Sequence, residues 1–173
     1  MVVGLGNPGE KFAQTRHNVG YRVIDLLKKD PPIGVKLFKP EGYMNSSGVS
    51  VAEMARKNGY GPSDILIVCD DFSIPLGMPR IRLGGSSGGH NGLDSIIQFL
   101  GTQDIPRLRV GIGPVPPGRD PADFVLEPFS ARTSLDEKAQ MAVYVIPSVA
   151  RIVREAIIEG IETAMNRYNN KSL

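Results

Sequence analysis

One stretch of the sequence limits the fold more than any other: an unbroken apolar run that ends in two carboxylates. Residues 65–69 are all apolar, and Asp70 and Asp71 follow at once. Such a run, without polar alternation, is typical of a central strand that helices cover on both faces. Open α/β sheets bind their ligands outside the carboxyl ends of such strands. The run therefore predicts an α/β protein with a cleft beside these two carboxylates.

Strand and helix patterns alternate along the rest of the chain. The further predicted strands are residues 1–5, 35–39, 80–83 and 107–110, and the predicted helices are residues 18–27, 50–58 and 93–100. Gly59 and Gly101 are expected C-caps. A capping-box pattern from Ser134 to Glu137 opens a long helical stretch that Pro147 must kink or split. We predict a three-layer α/β sandwich with a mixed, mostly parallel twisted sheet flanked by helices.

Length and composition narrow the class of protein. A chain of 173 residues can bury one sizeable core, so we expect a single domain over residues 1–173. No apolar run is long enough to cross a bilayer and the first residues lack a secretion signal, so we expect a cytoplasmic protein with no membrane contact. One cysteine and two histidines predict neither a disulfide nor a structural metal. With a net charge of only +2, a polyanion would need a local basic patch.

The glycines near the start fit a dinucleotide fingerprint, but their context does not. Gly4, Gly6 and Gly9 have the G-x-G-x-x-G spacing directly after a predicted strand. Pro8 removes an amide donor from the loop, and Asp25 lies inside a predicted helix where a ribose-binding acid would need a strand end. A tight turn between strand and loop explains the glycines better. A nicotinamide-dependent oxidoreductase remains a rival function, which a fluorescence titration would test.

His17 and Asp70 are the candidate groups for acid-base chemistry. A neutral imidazole accepts protons near pH 7, so His17 is either a general base or a residue at a helix start with Asn18 as N-cap. Successive strand residues point to opposite faces, so one carboxylate faces a given site, and we choose Asp70. The same alternation turns Cys69 away from His17. A magnesium site at Asp70 and Asp71 would lack a third ligand.

The glycine-rich segment of residues 84–89 ends in His90 and Asn91 and leads straight into a helix. Glycines let a backbone approach a ligand closely, and a helix start offers free amides to an anion or an oxyanion. The alternative is a mobile loop with Asn91 as N-cap. A mobile loop would not require His-Asn at its end, which favours a functional role.

Two arginine pairs indicate a phosphate-binding surface. Arg80 with Arg82, and Arg107 with Arg109, have the period of two that places both side chains on one face of a strand. If the two strands are neighbours, four guanidinium groups share a surface that could hold a nucleic-acid backbone. A solvated sheet face is the alternative.

Six short motifs, taken in order, resemble the bacterial-type peptidyl-tRNA hydrolase family over nearly the whole chain. They are Gly4-Leu-Gly-Asn-Pro-Gly9, Thr15-Arg-His-Asn18, Tyr43-Met-Asn-Ser-Ser-Gly48, Asp70-Asp71, Gly88-Gly-His-Asn-Gly-Leu93 and Arg107-Leu-Arg-Val-Gly-Ile-Gly113. Each motif alone is weak, but their ordered sum is highly specific.

This resemblance implies an esterase that cuts the bond between a peptide and the 3′ ribose of tRNA, with peptidyl-tRNA as its partner and neither metal nor cofactor. It implies a monomer with His17 as general base and Asp70 as the partner of that base. The implied substrate-binding residues are Asn7, Phe12, Met44, Asn45, His90 and Asn91, and the implied clamp for the tRNA 5′ phosphate is Arg82 and Arg109. No serine or usable cysteine pairs with His17, so we predict attack by water without a covalent intermediate.

The sequence also departs from the family's pattern. Phe12 stands where many relatives have tyrosine, Phe72 and Ser73 differ from the acidic and apolar residues common there, and a hairpin-sized stretch is missing between Asp30 and Val35. The same fold includes plant chloroplast group II intron splicing factors. A non-catalytic RNA-binding scaffold with an exposed apolar patch is therefore the main rival to the hydrolase.

Overall fold

A five-stranded sheet forms the middle of the protein, whose computed structural model describes residues 1–129 and 136–169. The strands are β1 (Val2–Gly4), β2 (Leu37–Phe38), β3 (Leu66–Pro75), β4 (Pro79–Arg82) and β5 (Arg107–Gly113). Their spatial order is β2-β1-β3-β5-β4, in which β4 runs antiparallel to β5 and the other neighbours are parallel. The predicted mixed, mostly parallel sheet is confirmed.

Helices cover both faces of this sheet. They are α1 (Val19–Leu27), α2 (Ser47–Asn58), α3 (Asn91–Leu100), α4 (Pro121–Val125), α5 (Glu137–Gln140), α6 (Ile146–Glu159) and α7 (Ile161–Tyr168). Val68 packs into a core with α1, α6 and α7, whereas Ile67 and Cys69 pack into a second core with α2 and α3. The unbroken apolar run of β3 follows from this, because each of its faces has its own helical layer. In the described ranges, no helix has both the length and the apolar character to cross a membrane.

Several elements differ in extent from the predictions. Of the predicted strand 35–39, only Leu37 and Phe38 pair with β1. Helix α2 begins at Ser47 and not at residue 50. Its first turn lies so close to α3 that a Cβ on Gly48 would be 2.2 Å from the Ser95 carbonyl oxygen. The predicted C-caps Gly59 and Gly101 are confirmed, both in the left-handed conformation.

The chain after α4 folds as a broken helical path. The predicted capping box at Ser134 lies outside the described residues, and Asp136 caps α5 by accepting the amide of Ala139. A π-helical turn over Met141–Val145 leads into α6, whose first turn contains Pro147. The predicted break at this proline is confirmed, because proline has no amide hydrogen to donate to the preceding turn. Gly160, at φ 94°, then separates α6 from α7, which the sequence pattern did not indicate.

The dinucleotide-like glycines serve helix packing. A Cβ on Gly4 would lie 2.2 Å from the carbonyl oxygen of Gly20, so α1 rests directly on β1. After Gly9 the chain forms a 3-10 turn at Glu10–Phe12, and the α1 helix begins only at Val19. A dinucleotide site needs a helix start within the glycine loop, and this loop has none.

Candidate active site

Three layers of the fold meet at Asp70. This residue lies in the middle of β3, His17 lies in the 3-10 turn Arg16–Asn18 before α1, and His90 is the N-cap of α3. The Nδ1 atom of His17 is 2.9 Å from both carboxylate oxygens of Asp70, and Nε2 of His90 is 3.1 Å from Oδ1. The structure thus brings the predicted pair of His17 and Asp70 together and adds a second imidazole.

The hydrogen bonds determine which ring nitrogens carry protons. Burial opposes ionisation of Asp70, but His17 and His90 outweigh it and lower the pKa of this carboxyl, which therefore only accepts hydrogen bonds. Nδ1 of His17 must then carry the hydrogen, which leaves a lone pair on Nε2. Nδ1 of His90 accepts the amides of Gly92 and Leu93 at 3.1 and 3.3 Å, so its Nε2 carries the hydrogen donated to Asp70.

His17 has the properties of a general base. Burial lowers the pKa of its imidazole, but the charge of Asp70 and the hydrogen bond to it raise the pKa more, so the net shift is upward from 6.5. A raised pKa makes Nε2 a stronger proton acceptor than the ring of a free histidine. The His17 side chain is 10% exposed and lines a cleft.

A cleft of about 330 Å³ opens beside this cluster. Its walls include His17, Asp70, His90, Asn91, Arg109 and the first turn of α4. Asp71 does not join the histidines: its Oδ2 lies 3.0 Å from Nε of Arg109, and its Oδ1 accepts the amide and hydroxyl of Ser73. The two neighbouring carboxylates therefore have different partners, as the alternation along the strand predicted.

Asn7 is held rigidly beside the turn that carries His17. The amide of Asn7 donates to Oδ1 of Asn18 at 2.8 Å, and Nδ2 of Asn18 donates to the carbonyl of Asn7 at 2.9 Å. The backbone amide of Met44 donates to Oδ1 of Asn7, so the Asn7 side-chain nitrogen is the donor left for a ligand. Asn18 occupies the N-cap position of α1, as the alternative interpretation placed it, but its side chain is engaged with Asn7 and makes no capping bond.

Four of the predicted substrate-binding residues do not line the His17 cleft: Asn7, Phe12, Met44 and Asn45. Asn7 lines a second cleft of about 520 Å³. Phe12 packs edge-on against Tyr43 at 6.4 Å between ring centroids. Met44 is buried, and Asn45 is exposed on the 3-10 turn that leads into α2. Asn91 is the predicted amide residue that the structure places in the wall of the first cleft.

The start of α3 differs from the prediction in its use of amides. Asn91 is the first residue of the helix and His90 is the cap, so Asn91 is not the N-cap that the alternative interpretation required. The amides of Gly92 and Leu93, which we expected to be free for an oxyanion, donate to His90. The exposed side-chain amide of Asn91 is then the donor that α3 offers to the cleft.

The arginine pairs meet as neighbouring strands, but they do not form four exposed guanidinium groups. Arg80 faces Arg109, and Arg82 faces Arg107, across the antiparallel β4 and β5. Arg82 is exposed, whereas Arg107 is 1% exposed and donates to four backbone carbonyls, those of Gly85, Ser86, Gln103 and Ile105. Arg107 therefore fastens the glycine-rich segment and is unavailable to phosphate.

The side chains around Asp70 bring together three groups that can each ligate a metal ion. One ligand atom each of His17, Asp70 and His90 lie within 4.8 Å of one another. A metal ligand needs a free lone pair, and His90 points an N–H toward Asp70 because its other nitrogen accepts the helix amides. The arrangement suits proton chemistry better than metal binding. Cys69 is buried, and that burial raises the pKa of its thiol, so it suits neither a metal nor nucleophilic attack.

Two features of the site were missed in the sequence. Asp120 and Pro121 begin α4, which forms a cleft wall; an N-cap aspartate before proline is a helix-start signal that could have found them. The guanidinium of Arg16, next to His17, lies between the rings of Phe124 and Phe129 and 2.6 Å from Glu137. No local pattern links Arg16 to a residue 121 positions away.

Known proteins resemble the chain along its whole length. A family model described as Peptidyl-tRNA hydrolase matches residues 1–36 and 32–173. A peptidyl-tRNA hydrolase of Moorella thermoacetica is 44% identical, covering 98% of this chain and 97% of that protein, and one of Aquifex aeolicus is 41% identical, covering 100% and 97%. The crystal structure of a peptidyl-tRNA hydrolase from Acinetobacter baumannii matches with a TM-score of 0.84 at 30% identity, over 99% of this chain and 94% of that one. The two model matches meet at residues 32–36, where the missing stretch is expected.

Proposed function

Because this chain belongs to the peptidyl-tRNA hydrolase family, we propose that it hydrolyses the ester bond between the peptide and the tRNA of peptidyl-tRNA and so frees the tRNA for reuse. The observation that carries the proposal is the contact of His17 with Asp70, which leaves Nε2 of His17 as a proton acceptor beside a cleft. An ester hydrolase that uses water as the nucleophile needs a proton acceptor beside the substrate, since water must lose a proton as it attacks, and Nε2 of His17 can be that acceptor.

The proposed reaction needs one base and one oxyanion donor. Nε2 of His17 takes a proton from a water molecule as the water oxygen bonds to the ester carbonyl carbon. The negative charge that develops on the carbonyl oxygen is stabilised by the side-chain amide of Asn91, a neutral donor that does not compete for the proton. The intermediate then breaks its bond to the 3′ ribose oxygen, and protonated His17 returns its proton to that oxygen. No covalent enzyme intermediate forms.

The remaining predicted residues have binding roles in this proposal. Asn7, with its nitrogen directed outward by the Met44 contact, and the exposed Asn45 bind polar groups of the substrate. Phe12 and Met44 contribute apolar contact next to them. Neutral amides suit this role because they neither attract the proton of His17 nor repel phosphates.

The tRNA body is proposed to contact the β4 edge of the sheet. Arg82 is exposed on β4. Arg109 lies on β5, on the same face of the sheet as Arg82, and forms part of the cleft wall. Guanidinium groups match phosphate oxygens in geometry, which supports a clamp for the 5′ phosphate. We propose that the protein works as a monomer, as the family resemblance implies, and that it meets its substrate in the cytoplasm, where translation produces peptidyl-tRNA.

The test is release of the blocked amino acid from N-blocked aminoacyl-tRNA by the protein and by His17→Ala. The wild type should hydrolyse the ester, and His17→Ala should be slower by roughly 10²-fold to 10⁴-fold because it lacks the base. Thermal unfolding of both proteins controls for folding. Equal rates would remove His17 from the mechanism, and tRNA binding without hydrolysis by the wild type would favour the splicing-factor-like scaffold.

A further inference from the structure

His90 makes contacts that a simple substrate-binding residue does not need. Its Nε2 lies 3.1 Å from Asp70, and its Nδ1 accepts two amides of α3. We propose that His90 is a positioning residue that holds the Asp70 carboxylate against His17. The predicted effect of His90 on kcat rests on the proposed hydrolase function. Its predicted effect on the orientation of Asp70 and on the pKa of His17 does not.

The carboxylate of Asp70 depends on the two imidazoles for its orientation. Oδ1 accepts from both His17 and His90, while Oδ2 accepts from His17 alone. The side chain is 2% exposed, and within the described ranges no other group donates to it. Without His90, the carboxylate would have donors on one side only and could rotate about its last bond. His90 therefore restricts Asp70 to the rotamer in which it faces His17.

The orientation of His90 is in turn fixed by α3. Two amides of the first helical turn point at Nδ1, and Leu93 and Ile96 anchor that helix in the core at 1% and 0% exposure. The His90 side chain is 8% exposed, so it offers little surface to a substrate. Its neighbour Asn91 is exposed at the same cleft and is better placed for that contact.

Other charges near the cleft are already partnered. Asp71 pairs with Arg109, Asp120 accepts the amide of Ala122, and Arg16 pairs with Glu137 on the other side of the His17 turn. The negative charge of Asp70 is therefore shared chiefly between His17 and His90. When the donor of His90 is removed, the full charge of Asp70 acts on His17, which should bind its proton more tightly.

The direct test is nuclear magnetic resonance of the ring nitrogens, which requires no substrate. The chain has only two histidines, so the spectrum of His90→Asn contains the signals of His17 alone. Comparison with the wild-type spectrum then assigns the signals of both imidazoles. In the wild type, His90 should have a hydrogen on Nε2 and none on Nδ1. Asparagine is a strong N-cap but too short to reach Asp70, so His90→Asn should keep α3 and raise the pKa of His17. Asn91→Ala, the matched control, should leave that pKa unchanged.

The kinetic test separates positioning from binding. His90→Asn should lower kcat by roughly tenfold with KM nearly unchanged, and the acid limb of its pH profile should move to higher pH together with the titration of His17. A raised KM with an unchanged pH profile would instead make His90 a substrate contact and overturn the proposal. A hydrogen on Nδ1 of His90 in the wild type, or an unshifted His17 in the variant, would overturn it even if the chain were no hydrolase.

Discussion

At the scale of single residues, His17 links activity and stability to pH with opposite signs. Its pKa is raised in the folded protein, because Asp70 outweighs burial. The protonated ring therefore adds stability below the unfolded value near 6.5, and this contribution is lost as pH rises through the raised folded pKa. Catalysis needs the neutral ring, so activity should increase over the same interval.

Asp70→Asn should reduce activity and shift its pH dependence. The amide has no charge to stabilise protonated His17, so burial would dominate and the pKa of His17 would fall. An amide hydrogen would also face the N–H of an imidazole, which disturbs the tautomer that leaves Nε2 free. We expect kcat/KM to fall roughly 10²-fold or more, with its acid limb at lower pH. A pH–rate profile measures both, and an unmoved acid limb would show that Asp70 does not set the basicity of His17.

The role of a site residue could be predicted from the sequence where its partner is close in sequence or belongs to a recognised motif, and not where the partner is distant. The family motifs pointed to His17 and Asp70, and alternation along β3 indicated that only one of the two aspartates would face the site. The capping role of His90 could not be seen, because histidine is an unusual cap and its second contact comes from another layer of the fold. Arg16 was missed for the same reason, since its partner Glu137 is distant in sequence.

At the scale of elements, Arg107 connects β5 to the glycine-rich segment before α3. Its guanidinium is 1% exposed and donates only to backbone carbonyls, among them those of Gly85 and Ser86. A segment with so many glycines has little intrinsic order. The buried arginine fixes its path, and with it the direction from which His90 enters the site.

Arg107→Met should destabilise the protein through these carbonyls. Methionine fills similar volume but donates no hydrogen bond, so buried acceptors lose their partners. We expect the free energy of unfolding to fall by on the order of 3 kcal/mol. Urea denaturation measures this, with Arg80→Met on the adjacent strand as the matched control, expected to change by less than about 1 kcal/mol. Equal effects of the two substitutions would contradict an anchoring role for Arg107.

Most strands and helices could be predicted from the sequence. The errors occur where contacts with other elements determine the ends of an element or the burial of a side chain. The periodicity of two correctly placed Arg107 and Arg109 on one side of β5, but it cannot tell which arginine a loop will cover. The start of α2 was predicted three residues late, because residues 47–49 have weak helix propensity and are held by packing against α3. The short β2 reflects a strand with a neighbour on one side only.

At the scale of the whole molecule, the net charge of +2 is too small to attract tRNA by itself, so binding must depend on a local group of basic side chains. Arg82→Ala should raise KM for full-length peptidyl-tRNA more than for a short ester mimic, since a phosphate contact positions the body of the tRNA. The dependence of log KM on log salt should become shallower by about 1. Adding Arg109→Ala should enlarge the difference between substrates. Arg56→Ala, an exposed arginine of α2, is the control, and a similar effect on both substrates would argue against the clamp.

The meeting of three layers at Asp70 has a consequence for how the molecule fails. His17 arrives from the layer of α1, His90 from the layer of α3, and the carboxylate from the sheet between them. A slight loosening of either layer separates a donor from the shared acceptor before the sheet itself comes apart. Hydrolytic activity should therefore be lost before the backbone unfolds, so a partly unfolded or damaged molecule is inactive while much of its secondary structure remains.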